Sequence, residues 1–380
     1  MASLARGMVQ AGAQLHIFAL NTTKHFINLN EIGDEVRQYN LEAHNIDNDI
    51  NFANTLANLF SGDAFHVSRF FDSAVNGKLQ ELLSKEQFDL VVFESIFMAP
   101  YLNTVRQHSK ARCVLRSHNI EYRIWERVVQ ETTNPAKKAY LKLQKERLRK
   151  YERSLTAQFD LVAAITPVDA RYYEDNRLND NVITLPFGID AQPRPIEPDQ
   201  SNELKIGFLG SMDWIPNQEG IRWFIDEIWP ELSKALPQLI CKIGGRHMPN
   251  DIMEKADVRL QIIPEVKSAT EFLKEFNLVI VPLRSGSGVR IKVLESMANG
   301  IPVLSTTIGY EGINARADES ILKANTPEEF VSTLKKVSEN PQILEGIAEK
   351  ALQLIRAEHD SKQSAIRLFD EVSKLKSLAG

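Results

Sequence analysis

Short apolar runs recur along the chain, separated by stretches in which apolar residues return every three or four positions. Leu15–Leu20, Leu90–Phe93, Cys113–Arg116, Leu161–Ile165 and Val182–Leu185 form a first series, and Lys205–Leu209, Leu239–Ile243, Leu260–Ile263, Leu278–Pro282 and Val303–Ser305 a second. Short continuous runs alternating with amphipathic helices predict parallel strands buried on both faces, the doubly wound α/β arrangement. Between the two series, Asp190–Asn202 is polar and holds Pro193, Pro195 and Pro198, which suit neither a helix nor a central strand. The predicted organisation is a Rossmann-like domain over 1–190, a second over 203–360, and a terminal helix over 361–380. In that helix Ala365, Leu368, Phe369, Val372 and Leu375 recur at helical spacing, a stripe that suits packing on either domain, including a return to the N-terminal one.

The opening is irregular. Leu4, Met8 and Val9 followed by Gly12 read as a helix that runs straight into the first strand. A doubly wound domain opens with a strand and a βα turn ahead of its first helix, so either that first βα turn is missing, the favoured expectation, or this domain opens differently.

Composition narrows the function classes. With 380 residues, 43% hydrophobic and 25% charged, the chain excludes disordered and fibrous readings, and a formal charge of −5 supplies no global field for nucleic acid. Cys113 and Cys241 sit alone in apolar runs and match neither a disulfide framework nor a metal-ligand spacing. No run approaches the roughly 18–20 apolar residues of a membrane span, so the expected location is the cytoplasm. One local exception is 135–155, a basic amphipathic helix carrying Lys137, Lys138, Lys142, Lys145, Arg147, Arg149, Lys150 and Arg153, which suits either a solvated helix with a core stripe or peripheral contact with an anionic membrane face. Asp47-Asn48-Asp49 has the form of a metal-binding Asp-x-Asp but follows no apolar strand, and no metal is expected.

The segment richest in chemistry is one β-loop-α-β unit: the strand Leu278–Leu283, the turn Arg284–Gly288, a helix over Val289–Asn299 closed by Gly300, and the strand Ile301–Ser305. A Gly-rich loop at a helix N-terminus presents free N–H groups and the positive dipole end, which suits a phosphate or diphosphate. Arg290 and Lys292 add cations there. Cations at a helix N-terminus cost up to about 1 kcal/mol unless an anion offsets them, so an anion is expected nearby. Gly288, Lys292, Glu295 and Asn299 share one polar stripe, which also permits a simple solvated Lys292–Glu295 pair.

The stretch Gly286–Thr306 resembles the donor-site segment of group 1 (family 4) glycosyltransferases. Arg116–Tyr122, Leu185–Asp190, Phe208–Asn217 and Ile308–Gly312 are similar, in the same order, to a bacterial subgroup of that family. The resemblance implies a GT-B fold, two Rossmann-like doubly wound domains facing a central cleft. It also implies retaining, metal-independent transfer from a nucleoside diphosphate sugar, a substrate rather than a cofactor, to a glycan or lipid-linked acceptor. Cell-surface polysaccharide synthesis is the setting that the family suggests. By position, Glu295 matches the second glutamate of the family's pair and would bind the ribose hydroxyls. Ser287 stands where the first glutamate is usual, leaving backbone N–H groups of the loop through Gly288 and Val289 to replace it. The loop from Gly210 lacks the basic pair common in the family, a charge that Arg290 and Lys292 would supply to stabilise the leaving diphosphate.

His118, at the carboxyl end of a predicted strand, is implied by the resemblance to line the cleft near the transferred sugar, with Asn119 beside it. Glu94 ends the preceding strand and is an acceptor-side candidate or a helix-terminal carboxylate. Two alternatives share the architecture: a non-catalytic GT-B nucleotide-binding module and a sugar-nucleotide 2-epimerase, the latter needing additional cleft carboxylates and histidines.

Overall fold

The computed structural model describes residues 2–23, 26–28, 39–48, 64–191, 204–286 and 288–375. The chain divides into two compact units, Met1–Pro186 with Ala365–Gly380, and Phe187–Ser364. The first change of unit falls just before the proline-bearing segment that sequence marks as the boundary, and residues 192–203 of that segment lie outside the described residues. Phe187 and Ile189 already belong to the second unit because they are tied to its last long helix. The Ile189 N–H donates to the His359 carbonyl at 2.6 Å, and His359 Nδ1 donates to the Phe187 carbonyl at 2.9 Å.

The first unit runs α1 (Ala2–Gln10), β1 (His16–Thr22), β2 (Asn40–Ile46), α2 (Phe65–Ser68), α3 (Ser73–Lys85), β3 (Leu90–Glu94), α4 (Leu102–His108), β4 (Arg112–Ser117), α5 (Glu121–Glu131), α6 (Pro135–Thr156), β5 (Leu161–Ala164), α7 (Pro167–Asp175) and β6 (Val182–Thr184). Its strands are parallel and form two sheets, β1-β2 and β3-β4-β5-β6. Helix starts are written locally: Asn134 before Pro135 and Thr166 before Pro167 each accept a first-turn N–H, from Lys137 and Asp169. Strand β2 is the element that hydrophobic patterning misses. Asn-Leu-Glu-Ala-His-Asn-Ile has no apolar run, since the strand pairs on one side only and is mostly half-exposed. Asp47 follows this strand, which is not an apolar one, while Asp49 lies outside the described residues.

The second unit runs β7 (Lys205–Leu209), α8 (Ile215–Trp223), α9 (Trp229–Ala235), β8 (Ile240–Gly245), α10 (Asn250–Met253), β9 (Leu260–Pro264), α11 (Ala269–Leu273), β10 (Leu278–Val281), α12 (Ile291–Ala298), β11 (Val303–Ser305), β12 (Leu322–Lys323), α13 (Pro327–Glu339), α14 (Gln342–Glu358) and the start of α15 (Ser361–Lys374). Its parallel sheet has the order β12-β11-β10-β7-β8-β9. Successive residues of β10 serve opposite faces: Leu278 and Ile280 join the cluster of Phe208, Ile243 and Phe330, and Val279 and Val281 that of Val293, Leu294 and Met297. This two-sided burial is the reason the strand reads as a continuous apolar run. From Ala365 onward α15 belongs to the first unit, where Ala365 and Leu368 pack with Leu4, Met8, Val114 and Leu185.

Candidate functional site

In the second unit, three loops meet at the carboxyl ends of β7, β8 and β10, where a doubly wound sheet presents ligands. The first leaves β7 at Gly210. Its N–H donates to the Gly244 carbonyl at 3.0 Å and the Met212 N–H to the Arg246 carbonyl at 2.9 Å, binding it to the end of β8. Both glycines are sterically required. A Cβ on Gly245 would strike the Gly210 carbonyl, and one on Gly210 would strike Lys292 Nζ and stand 2.8 Å from Asn217 Nδ2. The third loop follows β10 and turns through Gly286 and Gly288, at φ +113° and +81°, conformations that favour glycine.

α12 starts two residues later than the periodicity suggests, at Ile291, with Arg290 as its N-cap and Val289 ahead of it. No side chain caps this N-terminus; the Val293 amide turns back to the Arg290 carbonyl at 2.9 Å, and the Ile291 and Lys292 amides ahead of it are the ones an anion would meet. Arg290 is buried, its guanidinium donating to the Gly288 carbonyl and lying 5.2 Å from the Trp214 ring centroid. Lys292 shares a face with Glu295, but its ammonium turns inward, donating to Asn217 Oδ1 at 2.9 Å and lying 4.0 Å from the Phe208 ring centroid. Asn217 is itself held, donating to the Ser211 carbonyl at 2.7 Å. Burial, helped by the neighbouring Arg290 charge, lowers the Lys292 ammonium to about 7 against the pull of Glu295. Glu295 is shifted upward by burial, opposed by Lys292. Two basic side chains and a helix end without a side-chain cap thus converge at the carboxyl end of the sheet, a combination that a diphosphate would relieve.

Among the expected donor residues, Gly210, Arg290 and Lys292 come together directly. Gly288 and Val289 lead into the same helix, and Glu295 stands one turn beyond Lys292. Ser287 lies outside the described residues. Asn217 was not singled out as a donor-site residue. Its signals are its place at the end of the Phe208–Asn217 stretch and in the Pro216-Asn217 start of α8, and the contact with Lys292 spans 75 positions.

The first unit holds a second cluster at the carboxyl ends of β3 and β4. Glu94 pairs in register with Arg116, whose Nη1 lies 3.0 Å from Oε1, and His118 Nε2 donates to Glu94 Oε2 at 2.6 Å. Glu94 is thus neither a helix cap nor a lone carboxylate. Burial alone would raise its pKa, but the His118 hydrogen bond and the Arg116 charge outweigh that and hold it at about 2. Ser95 follows at φ +112°, a backbone strain of about 1–3 kcal/mol placed directly beside the carboxylate. Arg116, 1% exposed, could have been found as a charge inside an apolar strand.

The loop bearing His118 and Asn119 is fastened from below. Ser117 Oγ donates to the Asn119 carbonyl at 3.0 Å and is 2.8 Å from the Tyr173 hydroxyl. Glu152, from α6, accepts from the Glu121 and Tyr122 amides at 3.2 and 3.3 Å, capping α5 across the chain. Desolvation raises both Glu121 and Glu152 to about 7. Among the described residues no group of three or more His, Cys, Asp or Glu could hold a metal ion, and no helix is long and apolar enough to cross a membrane.

Comparison with known proteins bears on the family and the fold. Residues 203–340, all within the second unit, match the family described as glycosyl transferases group 1. The whole chain has the GT-B fold. It superposes on HepE of Anabaena, crystallised with UDP and glucose, with TM-score 0.64 at 13% identity, over 98% of this chain and 96% of that one. Sucrose-phosphate synthase from Thermosynechococcus elongatus gives 0.68 at 13% identity, over 99% and 92%. A Klebsiella pneumoniae protein described as an uncharacterized 44.6 kDa protein in the cps region is 24% identical over 305 residues, 77% of this chain and 76% of its own.

Proposed function

We propose that this chain transfers a sugar from a nucleoside diphosphate sugar, with retention and without a metal, to a glycan or lipid-linked acceptor in surface polysaccharide assembly. The observation that carries the reading is the uncapped N-terminus of α12 with Arg290 and Lys292 gathered at it, a receptor for the diphosphate that becomes the leaving group. Glu295 would take the ribose hydroxyls as acceptor of two hydrogen bonds. The UDP and UDP-glucose complexes of HepE, and the cps-region setting of the Klebsiella relative, support the substrate class and the pathway. The hydrogen-bonded Glu94, Arg116 and His118 would serve the transferred sugar or the acceptor, with Asn119 beside them. Cytoplasmic residence with contact at the inner membrane face is part of the same reading, supported by Lys137, Lys142, Arg149 and Lys150, exposed along α6.

Thermal stability with UDP, GDP, dTDP and ADP tests the donor site. One diphosphate at 100 times its Kd should add about 2.7 kcal/mol, and Glu295→Ala should remove the effect. No shift with any of them would refute the donor-site assignment. Product anomer by NMR tests retention, chelation tests metal independence, and sedimentation with anionic vesicles at low salt tests the membrane contact.

A further inference from the structure

Helix α8 begins at Ile215 with Trp214 as its N-cap, so Asn217 is its third residue and lies in the first turn. A negative side chain is the favourable choice at such a position, where the helix dipole is positive. A second reason points the same way. Asn217 is buried, its Oδ1 lies 2.9 Å from Lys292 Nζ, and a buried ammonium calls for a carboxylate. Asp has the shape of Asn and would satisfy both the dipole and the amine. The chain places a neutral amide there instead, and among the described residues that amide oxygen is the hydrogen-bond acceptor of the Lys292 ammonium.

The surroundings of the amine leave its charge uncompensated. On its own helix end Arg290 opposes the charge, and Glu295, one turn on, favours it without a hydrogen bond. From β7 and the loop that follows, the amine meets the Phe208 ring and Gly210, neither of them charged. The other end of the Asn217 amide is also fixed, Nδ2 donating to the Ser211 carbonyl at 2.7 Å. That bond is not the sole tether of the loop. The Gly210 and Met212 amides bind it to the end of β8, and Gln218 Nε2 donates to the Met212 carbonyl at 2.6 Å. Holding the loop therefore leaves unexplained why a neutral group faces the lysine.

We propose that Asn217 is a positioning residue that holds the Lys292 side chain by a neutral acceptor, so that the counter-charge of the amine comes from the bound diphosphate and not from the fold. This role rests on the reading of the α12 N-terminus as the receptor for a nucleoside diphosphate. A resident carboxylate would stabilise the empty protein and would compete with the ligand for the same cation. The amide keeps the amine in place, and binding completes an ion pair that folding leaves open.

The test compares wild type with Asn217→Asp and Asn217→Ser by titration calorimetry with UDP, GDP, dTDP and ADP at pH 8, in two buffers of different ionisation enthalpy. Wild type should take up about one proton with the diphosphate it binds best, because the free amine, lowered to about 7, is mostly neutral at that pH. Asn217→Asp should bind at least about tenfold more weakly and take up almost no proton, its amine being charged already. Asn217→Ser, neutral and shorter, should weaken binding yet keep the uptake. Melting without nucleotide gives an independent reading. The advantage of Asn217→Asp over wild type should shrink from pH 7 to pH 10, and in a Lys292→Met background it should turn into a loss. Binding by Asn217→Asp as tight as wild type with the same proton uptake, or parallel pH curves, would overturn the role of Asn217 and leave the donor site standing. An Asn217→Asp chain too unstable to purify would overturn it as well, since the carboxylate is expected to pair with the amine. If none of these diphosphates binds wild type, the donor reading itself falls, and this role with it.

Discussion

Lys292→Met separates what the site costs the empty protein from what it provides to the ligand. The ammonium falls from 10.5 in the unfolded chain to about 7 in the fold, chiefly because it is buried. Between those values the unfolded state binds the extra proton, so wild-type stability rises with pH across that window. The penalty is fully present below about pH 7 and gone near 10.5, and at 1.36 kcal/mol per unit it is at most about 5 kcal/mol. Lys292→Met should therefore melt higher than wild type at pH 7 without nucleotide, with the advantage shrinking as pH rises. Binding should show the reverse. If a diphosphate requires the charged amine, UDP affinity of the wild type falls roughly tenfold per unit above pH 7, with net proton uptake. The variant should bind more weakly and with a flatter pH dependence. Titration calorimetry at pH 7, 8 and 9, in two buffers of different ionisation enthalpy, reads both quantities. Wild-type binding that is independent of pH, takes up no proton and matches the variant would refute the role of this amine.

Three further changes probe the supporting geometry. Glu94→Gln leaves the buried Arg116 without its carboxylate and should cost about 3–5 kcal/mol in urea unfolding. In the wild type the Glu94 contribution is present above about pH 4.5 and should be lost as pH falls toward 2. Gly210→Ala pushes on Lys292 Nζ and Asn217 and should lower UDP affinity by on the order of tenfold, about 1.4 kcal/mol; unchanged affinity would count against a donor loop there. Glu152→Ala uncaps α5 and should destabilise by about 1–2 kcal/mol, while Glu152→Gln keeps an acceptor for the Glu121 and Tyr122 amides and should melt close to wild type.

Much of the framework is local and therefore legible in one dimension. Leu278–Val281 and Val303–Leu304 are buried on both faces, so their residues had to be apolar without alternation, and the glycines at 286, 288 and 300 mark backbone turns at positive φ. Thr-Pro and Asn-Pro pairs mark the helix starts because a cap and its N–H lie within three residues. The loop-helix anion signature was readable for the same reason, as was the pairing of Arg290 with Lys292 in one segment. Strand β2 escaped because an edge strand with half-exposed faces needs no apolar run.

Tertiary structure alone decided the partners. That Lys292 turns to Asn217 instead of Glu295, that Glu94 sits between Arg116 and His118, and that Glu152 caps a helix 30 residues before it all depend on elements brought together by sheet order. The grouping of the first unit's described strands into β1-β2 and β3-β4-β5-β6 is of the same kind, since the chain's own pattern shows the strands and only their pairing shows which lie side by side. Propensity and periodicity act over a few residues, so sequence determines which elements form and which loops suit an anion. The charges acquire their shifted pKa values, and the glycines their necessity, only when distant backbone closes around them.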